Sequence, residues 1–480
     1  MEGEGAPRRA PGEGFRSIPR DALWLLLMSA AVRLALALGT EITYDEAYYW
    51  TWSRVLGLGY FDHPPMVAWL IRLLGVRGAA LACGAVTVAL VQGLAADLTG
   101  RPEAGWRAAA LWSVLPASVL SGVFATPDAP LMPFWVGALW ALQRRRWALA
   151  GALCGLATLS KYTGALLLVP AVIAWLQARG RPPPERGAPG APGAGGRPRD
   201  LLNGMAAALA AFSPALAWNA AHGWASFRFQ LGHGLVGMPG AGAAASAGWR
   251  LLEYAGGQLA VGGLMLPVGL WWAVRAREAP RWLRAAFLAP VAVFGVASLF
   301  APSQANWALA AYVAPCAWIA AGGRWPARAA ALLGAFVCLA GLIHLTFPAL
   351  HFERDAALAR THGWHELKGV GANGAKVAYA PNFGLASEVA FQARMPVAIA
   401  GESRLTQFDL WPEPPLGDGE DAVFVSEWED PPPQKLVQAF QSVEGPRVLP
   451  ASYRGRLVHE FRCWTLRGKR AHPDRERPSL

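Results

Sequence analysis

Apolar residues recur along this chain in blocks of about 15 to 22, separated by short polar or basic stretches. The repetition runs to position 347 and then stops. The blocks at 21–39, 79–98, 105–121, 130–143, 147–160, 163–178, 201–219, 250–274, 283–300, 305–322 and 327–347 predict about eleven membrane-spanning helices. Several are short for a full crossing of roughly 20 residues, so one pair could be re-entrant. The segment 40–78 breaks the pattern. Between Thr43 and Met66 it carries Asp45, Glu46, Asp62, His63 and a run of tyrosine and tryptophan, too polar for a span. Beyond 347, Lys376-Val-Ala-Tyr379 and Ala422-Val-Phe-Val-Ser426 alternate as short strands do, and Leu385 to Gln392 reads as a helix.

The predicted fold class is an α-helical polytopic membrane protein with a small C-terminal α/β domain outside the cytoplasm. Its expected parts are a cytoplasmic tail (1–20), a membrane domain (21–347) with the outer loop 40–78, an outer domain (348–466) and a disordered end (467–480). The Pro/Gly/Arg-rich stretch 179–200 reads as a flexible cytoplasmic linker. Arg8, Arg9, Arg16 and Arg20 before the first block suggest a cleavable leader. Arg33 interrupts that block and no polar boundary follows Ala37, so it reads as a retained helix.

Composition agrees: hydrophobic residues are 54% and charged residues only 16%, where soluble proteins hold about a quarter charged. The net charge of +11 raises nucleic-acid binding. The basic residues lie mainly between apolar blocks, however, as topology signals do, and nucleic acid is not an expected partner. With the N-terminus inside, alternating spans place Arg101, Arg144–Arg146, Arg179, Arg181, Arg186, Arg197, Arg199, Arg275, Arg277, Arg281 and Arg324 on the cytoplasmic side. The outer loops retain Arg54, Arg72, Arg77, Lys161 and Arg228. That asymmetry is the positive-inside rule, and with an odd number of spans it puts residues 348–480 outside. The cysteines form no metal-ligand spacing. His351, His362 and His365 match no zinc pattern and read as solvated side chains.

The polar residues of interest also fall on the outer side. In order they are Asp45-Glu-Ala-Tyr-Tyr-Trp50, Tyr60-Phe-Asp-His-Pro-Pro-Met66, Thr126-Pro-Asp-Ala-Pro130, Lys161-Tyr-Thr-Gly164 and Gln304-Ala-Asn-Trp307. Ala386-Ser-Glu-Val-Ala-Phe391 and Gln407-Phe-Asp-Leu-Trp411 continue the series into the tail. This ordered set resembles the bacterial members of glycosyltransferase family 39, in the GT-C superfamily. These are related to protein O-mannosyltransferases and to the aminoarabinose transferase of lipid A. The resemblance implies a GT-C helical bundle, a polyprenyl-phosphate sugar donor (mannose at family level) and inversion at the anomeric centre. The catalytic positions it implies are Asp45 and Glu46 in the first loop and Asp128 in the second. His63 stands where relatives often carry a basic residue.

Residue chemistry points the same way. An acceptor hydroxyl needs a base, which a partly desolvated carboxylate supplies. The departing phosphate needs cations, for which His63, Lys161 and Arg228 are candidates. Tyr44, Tyr48, Tyr49 and Trp50, with Asn306, are the candidate sugar and acceptor contacts. Asp45 is read as the base, with Asp128 orienting the acceptor or tuning Asp45; Glu46, adjacent to Asp45, would point elsewhere on a helix. Each residue has a plainer role open to it. Asp45-Glu46 or Asp128 can cap a helix, His63 before two prolines can fix a turn, Lys161 can snorkel and the aromatics can form an interfacial belt. No cofactor is implied with certainty, though carboxylates on one face could hold a divalent cation. The acceptor could be protein, lipid or glycan. A lipid or sugar transporter or flippase, or a non-catalytic glycan-binding relative, are the rival readings.

Overall fold

The computed structural model describes residues 18–179, 196–235, 247–320, 325–401, 404–428 and 430–471. The expected tail before residue 18, most of the 179–200 linker, Arg324 and the end after 471 lie outside the described residues. α1 (Arg20–Gly39) is followed by two short helices of the first loop, α2 (Tyr44–Arg54) and α3 (Met66–Leu74). Next come α4 (Val76–Thr99), α5 (Pro102–Ser113), α6 (Pro116–Ser121), α7 (Asp128–Gln143) and α8 (Trp147–Ser160). After a 3-10 turn at Tyr162–Leu167 follow α9 (Leu168–Arg179), α10 (Pro198–Ala221), α11 (Ala225–Leu235), α12 (Ala247–Gly262), α13 (Met265–Arg275) and α14 (Arg281–Ala297). A second 3-10 turn, Ala305–Tyr312, leads into α15 (Val313–Ile319) and α16 (Trp325–Thr346).

Five described segments are long and apolar enough to cross a bilayer: Arg20–Gly39, Val76–Thr99, Tyr162–Arg179, Pro198–Ala221 and Pro326–Thr346. The protein is therefore a multi-pass membrane protein. Three of the blocks expected as single spans are broken. The block 105–121 divides before Pro116, where Leu115 is extended because the proline ring excludes the helical conformation. The block 250–274 bends by 95° between α12 and α13, a broken span or a re-entrant loop. The block 305–322 is a 3-10 turn followed by only the short α15.

Small residues let the helices approach closely. A Cβ added at Gly151 of α8 would stand 1.9 Å from the carbonyl oxygen of Gly204 in α10, so nothing larger fits there. Arg33 of α1 is buried, and its guanidinium donates to Ser118 Oγ at 2.7 Å and to the Ser113 carbonyl. The one charge foreseen inside a span thus ties α1 to α5 and α6 rather than lining a conduit.

The tail begins with α17 (Ala356–Thr361) and a 3-10 turn at Trp364–Asn373, and adds α18 (Phe383–Gln392). Its sheet contains β1 (Val377–Ala380), β2 (Val397–Ile399), β3 (Ala422–Glu427), β4 (Phe440–Tyr453) and β5 (Arg456–Lys469), in the order β2-β1-β3-β5-β4. β2, β1 and β3 run parallel, whereas β5 pairs antiparallel with β3 and β4. The β4–β5 hairpin was not foreseen, and Arg467 to Lys469 belong to β5 instead of a disordered end. Its turn has Arg454 and Gly455 both at positive φ, which suits the twist of a tight hairpin.

Of the tail histidines among the described residues, only His351 and His365 are exposed; His362 is buried, stacked on Tyr453 at 3.7 Å, which corrects its reading as solvated. Among the described residues no group of three His, Cys, Asp or Glu side chains is placed to hold a metal ion.

Candidate active site

α2 starts where it does because Thr43 and Glu46 form a capping box: the Glu46 N–H donates to Thr43 Oγ1, and the Thr43 N–H to Glu46 Oε2 at 3.1 Å. This fixes the rotation of the helix. At helical spacing Asp45, Tyr48 and Tyr49 then share one face, and Glu46 and Trp50 another. The first face lines a cavity of about 360 Å³.

Glu46 has no exposure. Its second oxygen accepts the Ala125 N–H at 3.0 Å, and Arg77 pairs with it at 3.1 Å. Burial raises its pKa, while Arg77 and the N–H donors pull it down. The residue joins the first loop to α4 and to the loop before α7. Trp50, on the same side, packs edge-on to Phe391 with Arg394 over its ring at 4.6 Å, outside the cavity. Tyr44 lies under Arg360 and lines a different cleft.

The cavity draws together loops that are far apart in sequence. From the first loop come Asp45, Tyr48, Tyr49, Asp62 and His63; from the turn after α8, Lys161, Tyr162 and Thr163; from α11, Phe229 and Gln230. Gln304 and Trp307 approach from the second 3-10 turn and its lead-in, and Phe383 and Arg404 from the tail. The Asp45 carboxylate makes no hydrogen bond or ion pair with the described residues. Burial raises its pKa, and Asp62 adds to that; Arg360 and Arg404 act against it. A carboxylate with raised proton affinity, open to a cavity, is suited to accept a proton.

Asp62 is differently held. Tyr48 donates its hydroxyl to Oδ2 at 2.6 Å, and Arg404 donates to Oδ1 at 2.9 Å. The Gln407 N–H in turn donates to the Tyr48 hydroxyl at 2.8 Å, and Gln407 Oε1 accepts the Phe61 N–H at 2.8 Å. Tyr48 is therefore a strut between the first loop and the tail, with its ring stacked on Phe408 at 5.8 Å. Burial pushes its phenol well above the usual range, so it stays a donor.

Asp128 is not a helix cap: its carboxylate makes no capping bond and receives Lys161 Nζ on both oxygens at 2.8 and 2.9 Å, plus Asn306 Nδ2 at 2.7 Å. Lys161 is itself buried, so it does not snorkel. It borders the cavity with its charge already opposed by Asp128, which stands behind it. Asn306 serves Asp128 rather than the cavity wall. Arg228 is exposed and outside the lining.

Among the lining residues that the sequence does not assign to the site, the two charged ones are Asp62 and Arg404. Asp62 lay within a quoted motif. Arg404 lies three residues before another, Gln407 to Trp411, and that proximity was the only signal for it.

Comparison with known proteins agrees with this architecture. Residues 62–218 match the family model described as dolichyl-phosphate-mannose-protein mannosyltransferase. The chain is 30% identical over 332 residues to the lipid A galacturonosyltransferase RgtD of Rhizobium johnstonii, a match covering 62% of this chain and 64% of that protein. Less than two thirds of that relative is therefore spanned. Among solved structures, ArnT from Cupriavidus metallidurans bound to undecaprenyl phosphate aligns with a TM-score of 0.57 at 14% identity, covering 92% of this chain and 98% of that one. The same protein in the apo state gives 0.57 at 15% identity, with 93% and 98% covered. At such identity the likeness concerns the fold. The GT-C resemblance drawn from the ordered motifs is borne out.

Proposed function

We propose that this protein is an integral membrane glycosyltransferase of GT-C type. It transfers a single sugar from a polyprenyl-phosphate donor to an acceptor hydroxyl at the outer face of the plasma membrane. The observation that carries the reading is Asp45, a carboxylate of raised proton affinity in a cavity bordered by Lys161, His63 and Arg404. In this reaction Asp45 takes the proton of the acceptor hydroxyl as its oxygen attacks the anomeric carbon. The bond from that carbon to the phosphate oxygen breaks, and the phosphate departs as an anion beside the cationic groups. A single displacement inverts the anomeric centre.

Asp128 and Asn306 have a positioning role: they hold Lys161 at the wall. Arg404 takes the place first assigned to Arg228, since it borders the cavity and Arg228 does not. Tyr49 and Phe383 offer ring faces to a sugar, while Tyr44 and Trp50 face elsewhere. Glu46 has a structural role. The tail completes the cavity as an outer domain, so that the span count is odd, as in an eleven-span topology with the N-terminus inside.

The donor sugar is a hexose or hexuronate: the family model's description names mannose and the relative's name galacturonic acid. The acceptor is an envelope protein, lipid or glycan. Mass spectrometry of glycolipids, glycoproteins and lipid-linked sugars from cells with and without the gene tests this. Loss of one modification with accumulation of one polyprenyl-phosphate sugar is expected. An unchanged profile under conditions where the protein is made would refute the proposal.

A further inference from the structure

A second cavity lies at the opposite end of the membrane domain from Asp45. α4 connects the two: Arg77, in its first turn, pairs with Glu46, and Thr99, its last residue, lines the second cavity. At 1.5 Å per residue the separation is about 33 Å, close to the thickness of a bilayer core. The cavity measures about 760 Å³, a volume in the range of small-molecule sites.

Its lining combines Arg101, Arg275 and Arg277 with Trp271, Trp318 and a single acid, Glu278. None of the three guanidinium groups forms a hydrogen bond or ion pair with the described residues. The nearest acid along α4, Asp97, is already engaged by Trp140 at 2.6 Å and by Arg144 at 3.1 Å. Guanidinium groups with no ion pair among the described residues match the oxygens of a phosphate, which they can bind bidentately. Trp271 and Val274 beside them are 49% and 73% exposed, so the rim continues onto an apolar surface. A free anion needs no such surface, but a lipid whose chains lie along it does. Tryptophan is also favoured at the depth of lipid headgroups. All three arginines belong to segments that the charge asymmetry of the sequence places on the cytoplasmic side, where anionic lipids attract such clusters.

We propose that this cavity binds the phosphate of an anionic phospholipid of the inner leaflet, with Arg101, Arg275 and Arg277 on the headgroup and Trp271 at the start of the acyl chains. The site is independent of the sugar-transfer reading. It would make the fold of the membrane domain responsive to lipid composition at the face opposite the chemistry.

The test is thermal unfolding of the purified full chain in neutral detergent, titrated with phosphatidylglycerol, phosphatidylcholine, undecaprenyl phosphate or inorganic phosphate. Phosphatidylglycerol should raise the unfolding temperature saturably, and phosphatidylcholine and inorganic phosphate should not. Replacing the three arginines together (Arg101→Gln, Arg275→Gln, Arg277→Gln) should weaken the phosphatidylglycerol effect on the order of a hundredfold, and the corresponding triple lysine variant should retain most of it. If the triple glutamine variant does not fold, Arg277→Gln alone should weaken it about fivefold. A phosphatidylglycerol response that survives these substitutions overturns the proposal. So does a response equalled by phosphatidylcholine or inorganic phosphate. An arginine-dependent response to undecaprenyl phosphate alone would assign the cavity to the donor's lipid carrier and overturn the phospholipid assignment.

Discussion

The two faces of α2 hold carboxylates that are neighbours in sequence and use them in opposite ways. Glu46 has its charge matched by Arg77 and its oxygens filled by the Ala125 and Thr43 N–H groups. Asp45, one residue earlier and about 100° around the helix, meets no donor among the described residues and opens into the cavity. Both are partly or wholly out of water, so both have raised pKa values, but only Glu46 is compensated by a directly paired cation, the half-buried Arg77. A buried carboxylate that is fully satisfied holds the fold together; one left unsatisfied beside a cavity is available for chemistry. The capping box decides which is which, because it sets the helix rotation.

This contrast can be broken by exchanging what each face loses. The largest effect is expected from Asp45→Asn, which should lower transfer per folded molecule by about 10²–10⁴-fold, the usual range for a general base. Its unfolding temperature should not fall, since a neutral amide is easier to bury than a carboxylate. Glu46→Gln should do the reverse. Stranding Arg77 beside a neutral amide costs about 3 kcal/mol, seen as a lower unfolding temperature and lower membrane content, with transfer by the remaining folded molecules largely kept. If Glu46→Gln folded normally and lost transfer, the assignment of the two faces would be inverted.

A subtler test uses charge. Arg360 is exposed, stands outside the cavity lining and lowers the Asp45 pKa. Arg360→Gln should therefore raise it, and the rate, which needs Asp45 ionised, should rise with pH only at higher values than in the wild type. The linkage has the opposite sign for stability. The folded state binds the Asp45 proton more tightly than the unfolded chain, so this residue's contribution is full at acid pH and is lost as pH climbs through the raised pKa. An unshifted acid limb in Arg360→Gln would mean that Asp45 does not govern the pH profile. The smallest effect on transfer is expected from Trp50→Ala. It removes packing against Phe391 and Arg394 and should cost about 1–3 kcal/mol of stability, leaving transfer per folded molecule within about twofold. A large loss of transfer would return Trp50 to the sugar site.

What the sequence disclosed follows the same division. The helix-forming blocks and the outer motifs were legible because bilayer burial and local caps write themselves into composition and spacing. Asp45 and Glu46 could be assigned to different directions from helical geometry alone. The Asp62–Arg404 pair could not, since its members are 342 residues apart and nothing around Arg404 marks a partner. The plainer alternatives for Lys161 as a snorkelling residue and Asp128 as a cap fail for a related reason: each is explained only by the other, and by Asn306. Breaks at Pro116 and between α12 and α13 divided blocks that hydropathy joins. The β4–β5 hairpin escaped because β4 does not alternate: Gly445 and Pro446 interrupt it, its register slips at Glu444/Arg447 and at Ala451/Ser452, and only Phe440 and Ala451 along it are buried.

The most direct test is single-turnover transfer by purified protein preloaded with a polyprenyl-phosphate sugar, comparing wild type with Asp45→Asn at equal donor occupancy. The account predicts that the variant binds the donor as the wild type does and forms product about 10²–10⁴-fold more slowly. Transfer at a near-normal rate from a fully occupied Asp45→Asn protein would contradict it.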